Sequence, residues 1–270
     1  MNHPPAGPRG RPEDADPRPA AGRRRFLQLA AAAILAGCSK LNDSPRVQSV
    51  LDWFDRLNHK AGIMTASPHR LAPTFPRSAV RPEQMRPNGS VTNPQARFLQ
   101  TPPGEWRLSL SEVRLEDGNV KARYGRKEFT MEELRGMPAL EQTVRHVCVE
   151  GWSAICHWKG VALADLLSRI PRRPESRFVY FLCDDVMPLG VSGVRYSVTF
   201  DISSALHPQN VLAYEYNGEP LSFEHGAPLR LAAPTHVGWK SAKYIRHIIL
   251  LNEDLGGYWE NQGYPRYYGF

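Results

Sequence analysis

The stretch Arg145-His146-Val147-Cys148-Val149-Glu150-Gly151-Trp152-Ser153 (RHVCVEGWS) sets one cysteine in the middle of what reads as a short buried strand. Val147 and Val149 flank the thiol, and Gly151 marks where the chain must turn. A lone cysteine in a valine-flanked run is, on its own, a small buried hydrophobe. The neighbourhood adds a second reading. A strand end that meets a loop can present side chains to a cleft, Glu150 two residues on shares the thiol's strand face, and Arg145 and His146 bias the local field. A soft thiolate beside a carboxylate suits a redox metal. Packing, a disulfide and metal ligation all remain open at this point.

The rest of the chain narrows the choice. At 270 residues and 41% apolar, it can bury a full core. The formal charge of +7 is uneven: the first 38 residues hold six arginines against three acids, and the remainder of the chain is only mildly basic. No run of Lys or Arg interleaved with aromatics appears, which excludes nucleic-acid binding as the expected function. Residues 1–22 are rich in Pro, Gly and charge and cannot form a core. Arg23-Arg24-Arg25-Phe26-Leu27-Gln28 resembles a twin-arginine export signal, followed by an apolar stretch too short to span a bilayer. Leu35-Ala36-Gly37-Cys38 matches a lipobox, so Cys38 is expected to be lipidated and to anchor a periplasmic protein to the membrane. Twin-arginine export carries folded proteins, often with a cofactor already inserted. Of the four cysteines, removal of Cys38 leaves Cys148, Cys156 and Cys183 in an oxidising compartment, an odd number that cannot all pair. No CxxC, CxxCH or HExxH motif suggests a zinc or haem site made by protein alone.

Residues 1–38 thus read as a signal peptide with lipobox, 39–80 as a tether and extended arm with a short helix at VQSVLDWFDRL, and 81–270 as one catalytic-size domain. WRLSLSEVRL, TVRHVCVEG, RFVYFLC, YSVTF, VLAYEYNGEPL, PLRLAAP and YIRHIILL read as strands or hairpin arms, with Asn217-Gly218 as a turn. FTMEELRGM opens with a capping box, Thr130 and Glu133, and GVALADLLSRI is an amphipathic helix stopped by Pro171. The expected fold class is mixed α+β, richer in strand than in helix. FEHGAPLRLAAPTHVGWKSAKYI gathers His225, Arg230, His236, Lys240 and Lys243 on glycine- and proline-rich loops. Such a set offers forked and point cations, with backbone N–H groups, to a phosphate or pterin edge. Taken alone it also fits a basic surface loop.

The two segments together resemble the sulfite oxidase family of molybdopterin enzymes. RHVCVEGWSAICHWKGVALADLL is similar to that family's cofactor-ligand segment, and HGAPLRLAAP followed by GWKSAKYI to its second signature; the resemblance covers roughly residues 80 to 252. It implies a single strand-rich molybdopterin-binding domain without an immunoglobulin-like C-terminal domain, most similar in architecture to bacterial periplasmic subunits that reduce methionine sulfoxide in proteins. It further implies that Cys148 ligates molybdenum beside the dithiolene of molybdopterin. His225 and Arg230 would meet the pterin and its phosphate, Ser241, Ala242 and Lys243 would contact the cofactor, and Asn88 would lie in a cofactor loop. Cys183 stands near a position where the reductases place a threonine against the cofactor, and His225 replaces their asparagine. Glu150 is a candidate for proton relay or for shaping the mouth. The implied reaction is oxygen-atom transfer on a sulfur compound, first of all sulfoxide reduction with electrons from a haem-containing, quinol-linked membrane subunit or a cytochrome. Sulfite oxidation, which would favour several arginines at the metal, is the alternative; a lipoprotein that retains the fold without catalysis is a third.

Overall fold

The computed structural model describes residues 70–93, 97–99, 101–187 and 194–265, with scattered positions between 44 and 60, several of them helical and within the expected VQSVLDWFDRL helix. The signal motif and Cys38 lie outside the described residues. The chain divides into two units, Met1–Asn58 and His59–Phe270, and the second contains both sheets. No helix among the described residues is long and apolar enough to cross a membrane.

The first sheet has six strands: β1 (Arg97–Phe98), β6 (Phe178–Met187), β11 (Ile245–Leu251), β2 (Leu108–Glu116) and β3 (Asn119–Phe129) in that order, with β7 (Val194–Asp201) also paired to β6. The second has five: β10 (Arg230–Ala232), β8 (Val211–Tyr216), β5 (Ser153–Ala162) and β4 (Ala139–Val147), with β9 (Glu219–Pro220) on β8. Only β11 and β2 run parallel; every other pair is antiparallel. The mixed, strand-rich architecture agrees with the sequence reading.

The main core lies between the sheets. Alternation along β8 shows how it forms: Leu212 and Tyr214 join that core, while Val211 and Ala213 point to the opposite face and join a second cluster with Val144, Cys156 and Trp158. Met85 and Leu221 cover this second face, so the second sheet is buried on both sides. Helix α1 (Met131–Arg135) begins with the expected capping box: Glu133 N–H donates to Thr130 Oγ1 at 3.0 Å, and Thr130 N–H to Glu133 Oε2 at 2.7 Å. Helix α2 (Leu163–Leu167) is shorter than its periodicity suggests, because Gly160–Ala162 belong to β5 and pair with β8. Helix α3 (Ile202–Ala205) is N-capped by Asp201, which accepts from Ser204 N–H at 2.9 Å. Asn217 and Gly218 both adopt positive φ and close the β8–β9 hairpin as expected.

The RHVCVEGWS stretch is the tip of a hairpin. β4 ends at Val147, which pairs with Ser153 on β5, and Gly151 at φ 86° lets the chain reverse between them. Cys148 N–H donates to Trp152 O at 2.8 Å and Gly151 N–H to Cys148 O at 3.2 Å. Cys148 therefore lies just past the strand, and Glu150 sits in the turn rather than on a shared strand face. The arm before the domain reaches β4 from the other side, where Phe75 N–H donates to Thr143 O at 2.9 Å and Thr74 bridges Val144.

Candidate active site

A pocket opens where the two sheets meet. Three elements converge there: the β4–β5 hairpin tip carrying Cys148, the end of β6 carrying Asp185, and the loop from Gly238 to Lys243 that joins β10 to β11. Its polar lining residues include Asn88, Ser90, Cys148, Glu150, Asp185 and Lys243, and its apolar and aromatic ones Val149, Met187, Tyr196, Trp239 and Trp259. The cavity volume is about 110 Å³.

At Cys148 two N–H groups point at sulfur: Asn88 Nδ2 at 3.1 Å and the Glu150 backbone N–H at 3.5 Å. Burial pushes the thiol pKa up, and these donors oppose that shift. Lys243 Nζ donates to Asn88 O at 2.5 Å and to Glu224 O at 3.2 Å, so Asn88 is held from both ends. Burial and the nearby Arg230 guanidinium bring the Lys243 pKa down to about 7. The HGAP motif lies directly against this lysine. A Cβ at Gly226, which has φ 106°, would meet Lys243 Cβ at 2.7 Å, so only glycine fits.

Arg230 is 2% exposed and, among the described residues, bonds backbone carbonyls, His225 O at 2.8 Å, Ser241 O at 3.3 Å and Leu231 O at 3.5 Å, with its guanidinium 4.7 Å from the Trp158 ring. Burial lowers its pKa to about 10. Among the described residues neither Arg230 nor Lys243 forms an ion pair.

The predicted residues divide. Asn88, Cys148, Glu150, Ser241 and Lys243 reach the pocket wall. Arg230, His225 and Ala242 stand behind it: His225 stacks on Tyr216 at 5.0 Å and shares a hydrogen bond with Ser222 Oγ at 2.9 Å, while the Ala242 carbonyl accepts from Leu231 N–H at 2.8 Å. Cys183 does not reach the pocket. Its side chain is 0% exposed in the main core, and burial pushes its thiol pKa well up. The β6 pairings slip between Leu182 and Val186 on one side and opposite Ile245 to His247 on the other, so simple alternation no longer carries Cys183 and Asp185 to the same surroundings. Cys156 and Cys183 are both free and lie in different clusters.

Asp185 is the main residue that the sequence reading missed. It is 4% exposed, Oδ2 accepts from Ser90 Oγ, and Oδ1 has no hydrogen-bond partner. The acidic pair in CDDVM was the available signal. Trp239 and Trp259, from the second signature and the aromatic tail, were likewise not assigned to the pocket.

A family model described as an oxidoreductase molybdopterin-binding domain matches residues 98–259. The chain is a molybdenum-dependent oxidoreductase of the sulfite oxidase family. A putative protein-methionine-sulfoxide reductase subunit, YedZ1, from Azospira oryzae is 34% identical over 90% of this chain and 86% of its own. The protein-methionine-sulfoxide reductase catalytic subunit MsrP of Xanthomonas campestris pv. campestris is 31% identical over 92% of this chain and 75% of its own. Among solved structures, the sulfane dehydrogenase SoxCD from Paracoccus pantotrophus aligns over 58% of this chain and 41% of that chain, at 22% identity and a TM-score of 0.46.

The cofactor of this family member is molybdenum-molybdopterin. The residues present suit such a group. Arg230 is a buried cation and Lys243 a half-buried one at the pocket wall, neither in an ion pair among the described residues, an arrangement that favours an added anion such as a phosphate. Asp185 Oδ1 is a buried acceptor awaiting an N–H donor of the kind a pterin carries. Among the described residues no three His, Cys, Asp or Glu gather as a metal cage, so the protein offers one soft ligand, the Cys148 thiol.

Proposed function

We propose that this chain is the catalytic subunit of a periplasmic sulfoxide reductase that acts on methionine sulfoxide. The observation that carries this reading is the charge of the Cys148 pocket. Its described wall holds two carboxylates, Glu150 and Asp185, against one cation, Lys243, and no arginine lines it. With Asp185 and Lys243 turned to the cofactor, a sulfite anion would meet the Glu150 carboxylate and no arginine, whereas a neutral sulfoxide with an alkyl side finds apolar lining residues. The names of the two methionine-sulfoxide reductase relatives support the same reading.

When bound, the molybdenum cofactor supplies oxygen-atom transfer, and the net reaction consumes two electrons and two protons to give a sulfide and water. The chain's own residues do the holding. Cys148 Sγ would ligate the metal, with Asn88 Nδ2 and the Glu150 N–H stabilising its thiolate charge. Arg230 and Lys243 would balance anionic parts of the cofactor, and Ser241 and Ala242 fix the loop through their backbone bonds. His225 orients Arg230 through its carbonyl. Glu150, bonded to the Trp152 indole N–H at 3.1 Å, stands exposed at the rim, where its carboxylate can exchange protons with water.

The electrons would come from a separate, haem-containing, quinol-linked membrane subunit. The word "subunit" in the relatives' names supports such a partner. The Arg23-Arg24-Arg25-Phe26-Leu27-Gln28 and Leu35-Ala36-Gly37-Cys38 motifs support twin-arginine export and a lipid anchor at Cys38.

The test is turnover by molybdenum-loaded protein with a reduced dye and methionine sulfoxide, set beside sulfite oxidation with an electron acceptor. Sulfoxide turnover with negligible sulfite oxidation is expected. Rapid sulfite oxidation without sulfoxide turnover would sink the proposal.

A further inference from the structure

The C-terminal segment beyond β11 builds one side of the pocket. The aromatic stretch GGYWENQGYPRYYGF has no periodicity and on sequence leaves packing on the domain and docking on a partner both open, with core packing expected of Trp259; in the structure Trp259 packs against the main core and also lines the Cys148 pocket. Its placement is fixed from several directions. Asn252 exchanges side-chain bonds with the Leu115 backbone at 2.7 and 3.0 Å, which locks the exit from β11. Tyr258 N–H donates to Ser197 O at 2.8 Å, and Thr199 Oγ1 donates to Gly256 O, so the segment is laced to β7. Lys240, 1% exposed, donates to Thr199 O at 2.7 Å and pairs with Glu260, the residue after Trp259. The indole lies 4.9 Å from the Tyr264 ring and edge-on to Tyr258 at 5.2 Å. Tyr196, in the same pocket wall, donates its hydroxyl to Trp239 O at 2.5 Å.

An indole is mostly hydrocarbon, and Trp259 brings that surface to the pocket lining. We infer that Trp259 is a specificity-determining residue, the wall against which the alkyl side of the substrate packs beside Val149 and Met187. The inference rests on the proposed sulfoxide reduction and adds to it the feature that selects the class. The substrate is a thioether-derived sulfoxide with an apolar chain, and the C-terminal segment contributes to recognising it. A rigid aromatic anchored on both sides loses little entropy when it makes such a contact.

The experiment compares molybdenum-loaded parent protein with Trp259→Ala, Trp259→Leu and Trp259→Phe. It measures KM and kcat for methionine sulfoxide, calorimetric Kd of methionine sulfoxide for the oxidised holoprotein, and molybdenum per chain. Loss of the indole contact in Trp259→Ala is expected to raise KM and Kd about tenfold, with kcat within about twofold of the parent and full molybdenum content. Trp259→Leu keeps an apolar plug in the core, preserves the test should the alanine variant misfold, and is expected to move KM in the same direction. Trp259→Phe should restore KM to within about threefold of the parent. Unchanged KM and Kd in fully loaded Trp259→Ala or Trp259→Leu overturns the inference, as does loss of molybdenum in all three variants, which would make Trp259 a cofactor-holding residue. A parent protein that turns over no sulfoxide fails the proposed function itself, a different result from a sulfoxide-active parent whose Trp259 variants are indistinguishable from it.

Discussion

Replacing Asp185 with asparagine should stabilise the apoprotein at neutral pH and leave it unchanged in acid. Asp185 is 4% exposed, with Oδ1 unpartnered and Oδ2 accepting from Ser90 Oγ. Burial pushes its carboxyl from 3.8 to about 6; the Ser90 bond and Lys243 oppose this, and Asp184 adds to it. In the unfolded chain the group has lost its proton by about pH 5, while the folded protein still holds it. Folding stability therefore falls as pH rises from about 4 to about 6, and the full penalty is present above that window. A gap of about 2 pH units corresponds to about 3 kcal/mol. Asparagine has the same shape, can still accept from Ser90, and carries no charge to bury. Denaturant unfolding of parent and Asp185→Asn apoproteins between about pH 4 and 8 measures the difference directly, since groups common to both cancel. The variant should match the parent near pH 4 and exceed it by about 3 kcal/mol at about pH 7.5, or about 6–12 °C in Tm. A difference independent of pH, or a less stable variant at neutral pH, would refute the reasoning.

Cys148→Ser should fold with a near-parental circular dichroism spectrum yet retain under about a tenth of the parent's molybdenum by elemental analysis, because a hydroxyl is a poor substitute for a soft thiolate. A Cβ at Gly160 would lie 2.0 Å from Leu212 O across the β5–β8 pairing, so Gly160→Ala should cost about 3 kcal/mol or more in chemical unfolding, or leave the protein insoluble. Thr130→Ala removes the capping box of α1 and should lower stability by about 1 kcal/mol, with kcat and KM for methionine sulfoxide unchanged, since α1 does not line the pocket.

The sheets were legible because their strands carry period-two or continuous apolar runs that mean the same thing locally and globally. RFVYFLC and YIRHIILL became β6 and β11, and the Thr130–Glu133 spacing became a capping box. Where the reading erred, long-range pairing overrode local pattern. Gly160 to Ala162 have helical periodicity with LADLL, yet pairing with β8 holds them in a strand. Glu150 was two residues from Cys148 on a presumed strand, but the positive φ of Gly151 puts both in a turn. At the site, residues within the two motifs were assigned through the family resemblance that the motifs carry. Asp185 and Trp259 were not, since nothing in their local sequence connects them to Ser90 or Cys148; only the meeting of the two sheets does.

The electrostatics of the site favour the cofactor-loaded protein. Arg230 is a buried cation and Lys243 a half-buried one, neither in an ion pair among the described residues, and Asp185 is a buried carboxylate with one oxygen unpartnered. Their own pKa directions register the penalty: both cations are lowered and the acid is raised, each chiefly by burial. A protein free to optimise its apo state would pair such groups or replace them. Their persistence is reasonable if an anionic, N–H-bearing group offsets all three at once, since a ligand that binds only the folded state adds its binding free energy to stability. The loaded protein is then the most stable species.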